Sequence, residues 1–255
     1  MRVHVLGCSG GSAPRRELTS YLIDDVLAVD AGALTTTLEL EQQQLLRMVL
    51  LSHGHMDHIW SLPLFLANRF QDGTPTCAIR ASGYTLETLA THQMNDRVWP
   101  DFTRAMTMTG PLMQLQPLEA GEQATLLKRY RVTTIPVDHT VPCQAHLIET
   151  DEGALLLGTD THVTDRFWAI ANRTPNLKAA VVECSFPDAY ADLALRSKHL
   201  TPRLLGEELK KLKADVPVHI THMKPGYEET LLRELGALGD SRIRPLRQGD
   251  VLELR

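Results

Sequence analysis

The segment LLSHGHMDH, residues 50–58, carries the strongest signal in this chain of 255 residues. Three histidines and one aspartate fall within six positions, directly after an apolar run that predicts a buried strand. His53 and His55 are two positions apart, so in an extended loop both imidazoles can lean to one side and bind one cation. The glycine between them permits a tight turn, and Asp57 and His58 follow where they can serve a second cation. The segment therefore predicts a metal site at the end of a strand.

Three more ligand-type residues occupy the same kind of position. His139, Asp160 and His222 each follow a predicted strand, and those strands span residues 131–137, 154–158 and 216–221. In α/β folds the functional loops gather at such strand ends. Seven ligand-type side chains are about what two zinc-like ions need, with positions left for hydroxide and substrate.

The order of predicted elements indicates a layered α/β architecture. Predicted strands come in groups, with helices between and after them, which favours two sheets packed face to face with helices outside. Helices are predicted over 35–46 and 202–213, and the second has Thr201 as its N-cap and Pro202 as its first residue. The chain has no internal repeat and no long linker, so residues 1–255 are expected to form one domain.

Composition narrows the function classes. The net charge of −5 and the pI near 6.1 disfavour a general polyanion binder, which is usually basic. The four cysteines form no CxxC pair, and the N-terminus does not resemble a signal peptide, so the expectation is reduced thiols and a cytoplasmic location. No stretch approaches 18 apolar residues, so no membrane span is expected.

The segment HGHMDH at 53–58 resembles the HxHxDH signature of the metallo-β-lactamase superfamily. His139, Asp160 and His222 follow in the order that this family uses. The segments GCSGG at 7–11, TSYLI at 19–23 and VDAG at 29–32 are similar to its opening strands, so the resemblance runs nearly end to end. It implies an α/β fold, the four-layer αββα sandwich.

The resemblance also implies two divalent ions, with zinc expected and manganese or iron as alternatives. By resemblance, metal 1 is assigned His53, His55 and His139, metal 2 is assigned Asp57, His58 and His222, and Asp160 bridges the two. Two cations stabilise hydroxide near neutral pH, so the family's nucleophile needs no serine or cysteine.

Two later segments resemble the phosphodiesterase branch of this superfamily. These are ECSFP at 183–187 and KHLTP at 198–202, and they are followed by ITHMKP at 220–225. In that branch the histidine before the helix is thought to protonate the leaving oxygen. His199 is therefore predicted to be the general acid, with Glu183 orienting it or raising its pKa. Lys224 is a candidate for holding a phosphate oxygen. Asp57 is counted as catalytic as well as a ligand.

The resemblance is greatest to the class II 3′,5′-cyclic-nucleotide phosphodiesterases, which implies opening of cyclic AMP or cyclic GMP to the 5′-monophosphate by a hydroxide that bridges the metals. The alternatives are a tRNA 3′-processing endonuclease and a thioester or lactone hydrolase of the same fold. The expected partner is a small phosphodiester rather than nucleic acid or a membrane, and a homodimer is compatible with the sequence. Arg15 and Arg16 have no assigned role, and Trp60 is interpreted as a core residue.

Residues outside this set have two readings each. Asp30 follows a strand and can anchor a metal-binding histidine, or else cap a turn. His146 alternates with apolar residues in a predicted strand, which favours a structural role. His162 lies two positions after Asp160 and is either a loop residue or a support for the metal ligands.

Overall fold

The computed structural model of the protein describes residues 1–71 and 73–254. Its strands are β1 (Arg2–Gly7), β2 (Ser20–Ile23), β3 (Leu27–Val29), β4 (Met48–Leu50), β5 (Cys77–Ala81), β6 (Met106–Thr107), β7 (Gly110–Pro111), β8 (Met113–Pro117), β9 (Gln123–Leu126), β10 (Tyr130–Val137), β11 (Cys143–Thr150), β12 (Gly153–Leu157), β13 (Leu177–Glu183), β14 (Val218–Thr221), β15 (Ile243–Pro245) and β16 (Val251–Glu253). Its α-helices are α1 (Leu34–Thr37), α2 (Leu40–Leu45), α3 (Met56–Ile59), α4 (Leu62–Asn68), α5 (Gly83–Thr88), α6 (Asp165–Ala171), α7 (Ala191–Ser197), α8 (Pro202–Leu209) and α9 (Glu228–Ala237).

Two seven-stranded sheets form the centre of the molecule. The first has the order β16-β1-β2-β3-β4-β5-β8, and the second has the order β15-β14-β13-β12-β11-β10-β9. Each sheet is antiparallel in one half and parallel in the other, since β3, β4, β5 and β8 pair in parallel, as do β12, β13, β14 and β15. The predicted fold class, the αββα sandwich, is confirmed.

Alternating side chains separate the faces of the sheets, because successive residues of a strand point to opposite sides. Between the sheets lies one apolar cluster, to which β11 contributes Ile148 and β12 contributes Leu155 and Leu157. Their neighbours Leu147 and Leu156 belong instead to an outer cluster that packs against α6, α8 and α9. The first sheet has a corresponding outer cluster with α1 and α4. Four layers follow directly from this alternation.

The strand directions explain where functional residues gather. Strand β10 is antiparallel to β11, and β11 is antiparallel to β12, so β10 and β12 run the same way. Since β12, β13 and β14 are mutually parallel, the carboxyl ends of four strands meet at one edge of the second sheet. The carboxyl ends of the parallel strands β3 and β4 supply the corresponding edge of the first sheet.

Two predicted helices show how local signals succeed or fail. The helix predicted over 202–213 begins at Pro202, and Thr201 caps it by accepting a hydrogen bond from the Leu204 N–H, but it ends at Leu209. The single helix predicted over 35–46 is wrong. It is two short helices, because Leu38 is extended and Glu39 starts a new capping box. Within the described residues, no helix has the length and apolar character to cross a membrane.

Candidate metal centre

The segment that follows β4 presents its four polar side chains in two ways. His53 and His55 lie in the loop after β4, in which His55 is extended, whereas Asp57 and His58 lie on the single turn of helix α3. His53 and His58 are fully buried. Gly54 packs against Thr88, whose Cγ2 would lie 3.0 Å from a Cβ at that position, so the glycine lets the loop lie close to the end of α5. The close spacing in sequence therefore yields two separately directed pairs of ligand atoms.

The second sheet supplies three more side chains from its shared edge. His139 lies two residues beyond β10, Asp160 lies three residues beyond β12, and His222 directly follows β14. Asp160 and His222 are 2% and 1% exposed. His222 has a φ of +63°, a left-handed conformation that is costly for a residue other than glycine and that occurs where the surroundings fix it.

These seven side chains form two groups that share Asp160. In each group the nitrogen and oxygen ligand atoms lie within 4.8 Å of one another. The first ligand group is His53, His55, His139 and Asp160, and the second ligand group is Asp57, His58, Asp160 and His222. The seven residues chosen from the sequence are thus brought together, in the two sets that the resemblance implied.

The approach of these atoms is close. The distance from His139 Nε2 to His55 Nδ1 is 3.1 Å. In the second ligand group, Asp160 Oδ1 lies 3.2 Å from His58 Nε2 and 3.2 Å from His222 Nε2. The distance from His222 Nε2 to Asp57 Oδ2 is also 3.2 Å. Nitrogens and carboxylate oxygens directed at common points are the donor atoms that divalent ions such as zinc accept.

Unsatisfied atoms test whether a cation fits. Among the described residues, His53 Nε2, His58 Nε2 and Asp160 Oδ1 are buried without a well-directed hydrogen bond. Buried polar atoms are almost always paired in folded proteins, so three unpaired atoms at one point need a partner of another kind. A pair of divalent cations fits this donor set, which has His, Asp and no sulfur.

For most of the ligands the direction of the pKa shift suits metal binding, because metal ligands must be neutral imidazoles or ionised carboxylates. His58 is the exception, since burial would lower its pKa but the Asp160 and Asp30 carboxylates raise it well above its usual value. Burial, together with the neighbouring His58, holds the pKa of His53 well below its usual value. Burial also lowers the pKa values of His55 and His139. For Asp160, burial alone would raise the pKa, but the imidazoles of His222 and His58 hold it well below its usual range.

Asp30 and Ser52 support one side of the centre. Asp30 Oδ2 lies 2.7 Å from His58 Nδ1 and 2.9 Å from Ser52 Oγ, which in turn lies 2.9 Å from His53 Nδ1. The Ser52 N–H donates to Asp30 Oδ1 at 2.8 Å. Asp30 therefore contacts a metal-site histidine, in agreement with the first of its two readings. We call these four fully buried residues, Asp30, Ser52, His53 and His58, the Asp30 network.

Glu183 supports the other side. Its Oε1 accepts a hydrogen bond from His199 Nδ1 at 2.6 Å, and its Oε2 accepts one from Ser185 Oγ at 2.6 Å. Ser185 Oγ also lies 2.9 Å from His222 Nδ1. We call Glu183, Ser185, His199 and His222 the Glu183 network.

His199 is placed beside the ligands but differs from them. Its ring stacks on His222, with centroids 5.3 Å apart and planes 21° apart, and it meets His139 edge-on at 5.2 Å. Burial would lower the pKa of His199, but the Glu183 carboxylate raises it above the usual value. His199 thus keeps its proton more readily than the neighbouring His53, His55 and His139.

The remaining candidates have varied surroundings. Lys224 Nζ donates to the Gly10 carbonyl and lies 3.9 Å from Asp57 Oδ2, at the rim of the second ligand group. Trp60 is 43% exposed, so its interpretation as a core residue is wrong. Arg16 pairs with Glu228 and belongs to neither ligand group.

Two histidines outside the ligand groups are buried without a full set of partners. His146 lies in β11 and is fully buried, and neither ring nitrogen has a hydrogen-bond partner among the described residues. His162 lines a cavity of about 260 Å³ with Asp188 and Leu204 rather than joining a ligand group.

Sequence reasoning missed Ser52 and Ser185. Both are fully buried, and each bonds to a carboxylate and to a ligand histidine. Serine is common in loops, and its residue type predicts no partner. Their positions, one before His53 and two after Glu183, are the only signal in the sequence that could have found them.

The fold and the ligand groups are those of a metal-dependent hydrolase. A family model described as the beta-lactamase superfamily domain matches residues 19–236, and the chain belongs to this superfamily.

Individual relatives give the same result. The chain is 28% identical over 210 residues to a probable 3′,5′-cyclic-nucleotide phosphodiesterase of Yersinia pestis, covering 73% of this chain and 60% of that protein. It is 25% identical over 237 residues to 3′,5′-cyclic-nucleotide phosphodiesterase 1 of Saccharomyces cerevisiae, covering 75% of this chain and 61% of that protein. The chain thus spans about three-fifths of the length of these two relatives.

Solved structures share the fold. Unliganded yeast PDE1 superposes with a TM-score of 0.82 at 19% identity and 98% coverage of both chains. The short form of human tRNase Z superposes with a TM-score of 0.72 at 16% identity and full coverage of both chains. The predicted superfamily is confirmed, and the two curated relatives described above carry the name of its phosphodiesterase branch.

Proposed function

We propose that the chain is a binuclear-metal phosphodiesterase that hydrolyses 3′,5′-cyclic AMP or cyclic GMP to the 5′-monophosphate. The observation that carries the proposal is the pairing of His199 with Glu183 at 2.6 Å, directly beside the ligand groups. A buried imidazole that keeps its proton is suited to protonate an alkoxide leaving group, which departs poorly without protonation. The two cyclic-nucleotide phosphodiesterases among the relatives support the substrate class.

The chain's residues have separate roles in this proposal. The seven ligand residues hold two divalent ions, with zinc as the proposed metal, and when bound these ions supply hydroxide near neutral pH and polarise the phosphate. Glu183 accepts from His199 Nδ1, so Nε2 is the nitrogen that gives a proton to the leaving 3′-oxygen. Lys224 attracts a non-bridging phosphate oxygen as a point charge. One domain, acting on a small phosphodiester, is sufficient for this chemistry.

A tRNA 3′-processing endonuclease is the second candidate function. Nuclear ribonuclease Z of Triticum aestivum is 32% identical over 100 residues, covering 38% of this chain and 52% of that protein. Against it stands the net charge of −5, because RNA binding depends on neutralising many phosphates with Lys and Arg. Thioester or lactone hydrolysis is less well supported, since it gives the His199–Glu183 pair no evident role.

A substrate panel tests the proposal. Zinc- or manganese-loaded protein is assayed with cyclic AMP, cyclic GMP, 2′,3′-cyclic nucleotides, a precursor tRNA and a thioester, with products resolved by chromatography. We expect the 5′-monophosphate from a 3′,5′-cyclic nucleotide as the fastest reaction, and no turnover after chelation of the metals. A preference for precursor tRNA or thioester would contradict the proposal, as would full activity of chelated protein.

A further inference from the structure

Ser185 occupies a junction between the metal ligands and the proposed acid. Its hydroxyl is fully buried and lies 2.6 Å from Glu183 Oε2, 2.9 Å from His222 Nδ1 and 3.3 Å from His199 Nδ1. A serine hydroxyl has one proton to donate and two lone pairs that accept. An ionised carboxylate only accepts, so the proton of Ser185 goes to Glu183. Its lone pairs are then directed to the two imidazoles.

The tautomer of His222 follows from this arrangement. Its Nε2 faces Asp57 and Asp160 in the second ligand group, so that nitrogen must be free of a proton to bind a cation. The proton then sits on Nδ1 and is donated to Ser185 Oγ. A ligand histidine generally donates its other N–H to a partner that fixes the ring, and here the partner is a serine backed by a carboxylate.

The ring of His222 is also confined by the backbone of Gly10. A Cβ at Gly10 would lie 2.7 Å from His222 Nδ1 and 2.8 Å from Cε1, so only glycine fits there. His222 itself has a left-handed backbone. The Gly10 backbone and the Ser185 hydroxyl thus both lie close to Nδ1 of this ring, and Ser185 supplies its directional contact.

Glu183 in turn is fully occupied. Its Oε1 accepts from His199 Nδ1 and from the Thr161 N–H at 3.1 Å, and its Oε2 accepts from Ser185 Oγ and from the Leu200 N–H at 3.4 Å. The carboxylate is completely buried, so these contacts replace its hydration. One negative charge thus serves His199 directly and His222 through Ser185.

The molecule uses the same arrangement a second time. Asp30 contacts His58 Nδ1 directly and contacts His53 Nδ1 through Ser52, with both serine distances at 2.9 Å. Both sheets thus have, near the ends of neighbouring strands, the same combination of a carboxylate, a serine and two histidines. Because ordinary packing does not require this repetition, it supports a common purpose for the two serines.

We propose that Ser185 is a positioning residue that fixes the tautomer and orientation of His222, as Ser52 does for His53. Each serine thereby tightens a different metal ion. The proposal rests on the proposed function only in taking the two ligand groups to be metal sites. It makes no claim about the substrate.

The test compares two matched serine deletions, Ser185→Ala and Ser52→Ala, and the double variant. Zinc affinity is measured by competition with a chromogenic chelator, starting from metal-stripped protein. We expect wild-type protein to bind two zinc ions tightly, and each single variant to hold one tightly while the other is weakened about 10- to 100-fold. The double variant should have no tight site, because the two serines act on different ions.

A conservative variant separates positioning from packing. Ser185→Thr keeps the hydroxyl and should restore most of the zinc affinity that Ser185→Ala loses. If Ser185 only fills space, Ser185→Ala lowers the melting temperature of the metal-free protein and leaves both zinc affinities unchanged, which would overturn the proposal. Because the titration contains no substrate, failure of the cyclic-nucleotide assay would leave this result intact, and the reverse also holds.

Discussion

The Asp30 network and the Glu183 network each have one carboxylate, one serine and two histidines, but they differ in how their histidines relate to the ligand groups. In the Asp30 network both histidines belong to the ligand groups, and all four residues are completely buried. In the Glu183 network only His222 belongs to a metal group shared with Asp160, while His199 lies beside the ligands and is 6% exposed. The comparison shows that Asp30 supports only histidines of the proposed metal sites, whereas Glu183 divides its contacts between a proposed ligand, reached through Ser185, and the proposed proton donor His199.

The largest effect is expected at Asp160, the residue that the two ligand groups share. Asp160 belongs to both ligand groups, so Asp160→Asn should weaken both ions together. Losing several kcal/mol of stabilisation of the transition-state charge corresponds to a fall in kcat/KM of roughly 10⁴-fold. Metal content by mass spectrometry and turnover of bis(p-nitrophenyl) phosphate check this. Two tightly bound ions in an inactive variant would contradict the prediction that Asp160 helps to hold both ions.

The next effect should distinguish the Glu183 network from the Asp30 network, because only His199 is expected to respond to the leaving group of the substrate. His199→Gln should slow hydrolysis of a cyclic nucleotide by about 10²-fold, because its alkoxide leaving group needs a proton. With bis(p-nitrophenyl) phosphate, whose leaving group needs little protonation, the loss should be small. The measurement is the ratio of kcat values for the two substrates.

Asp30→Asn is the matched control for that experiment. Asparagine tolerates the left-handed backbone at Asp30, where φ is +58°, but its amide presents an N–H where His58 Nδ1 needs an acceptor. This variant should lose metal affinity and slow both substrates by the same factor. Equal losses on both substrates in His199→Gln would instead remove His199 as the acid.

The last prediction concerns stability rather than catalysis, at a buried histidine that belongs to neither network. Burial lowers the pKa of His146 to about 4. An unfolded chain binds a proton on this residue near pH 6.5, so stability falls as the pH drops from about 6.5 to about 4 and changes no further below that. The loss is about 3 kcal/mol. Urea unfolding in the presence of chelator should give a flatter pH profile for His146→Leu.

The exposed His92 supplies the control for this last prediction. His92→Gln should leave the pH profile of stability unchanged, because the His92 side chain is exposed and keeps its hydration on folding. If His146→Leu and wild-type protein lost stability in parallel on acidification, the cost of burying His146 neutral would be refuted. The inference that His146, unlike His53 and His58, has no polar partner in the described part of the chain to offset its burial would then be unsupported.

The sequence predicted the parts of the site that depend on residue type and strand order. His139, Asp160 and His222 could be selected because each follows an apolar strand, and the shared direction of β10, β12 and β14 brings their ends together. Asp30 could be proposed as a support for the same reason. These residues could be selected without any information on how the two sheets pack.

What escaped prediction depends on three-dimensional contact. Ser52 and Ser185 each contact one near neighbour in sequence, His53 and Glu183 respectively. Each hydroxyl also contacts a residue that is distant along the chain, Asp30 for Ser52 and His222 for Ser185, and the sequence does not specify this second partner. The break between α1 and α2 has the same origin. The hydrophobic period runs across Leu38, but this residue is buried in an extended conformation that the packing selects over the helix.

The positive φ angles of Asp30 and His222 restrict how this centre can be altered. If His222 were exchanged for another donor residue to change the metal preference, most replacements would strain the backbone at that position, whatever their effect on coordination. Asparagine, aspartate and glycine adopt that geometry most readily, whereas β-branched residues resist it. Directed evolution of this scaffold would therefore begin more productively at His55 or His139, where the backbone conformation accepts more residue types.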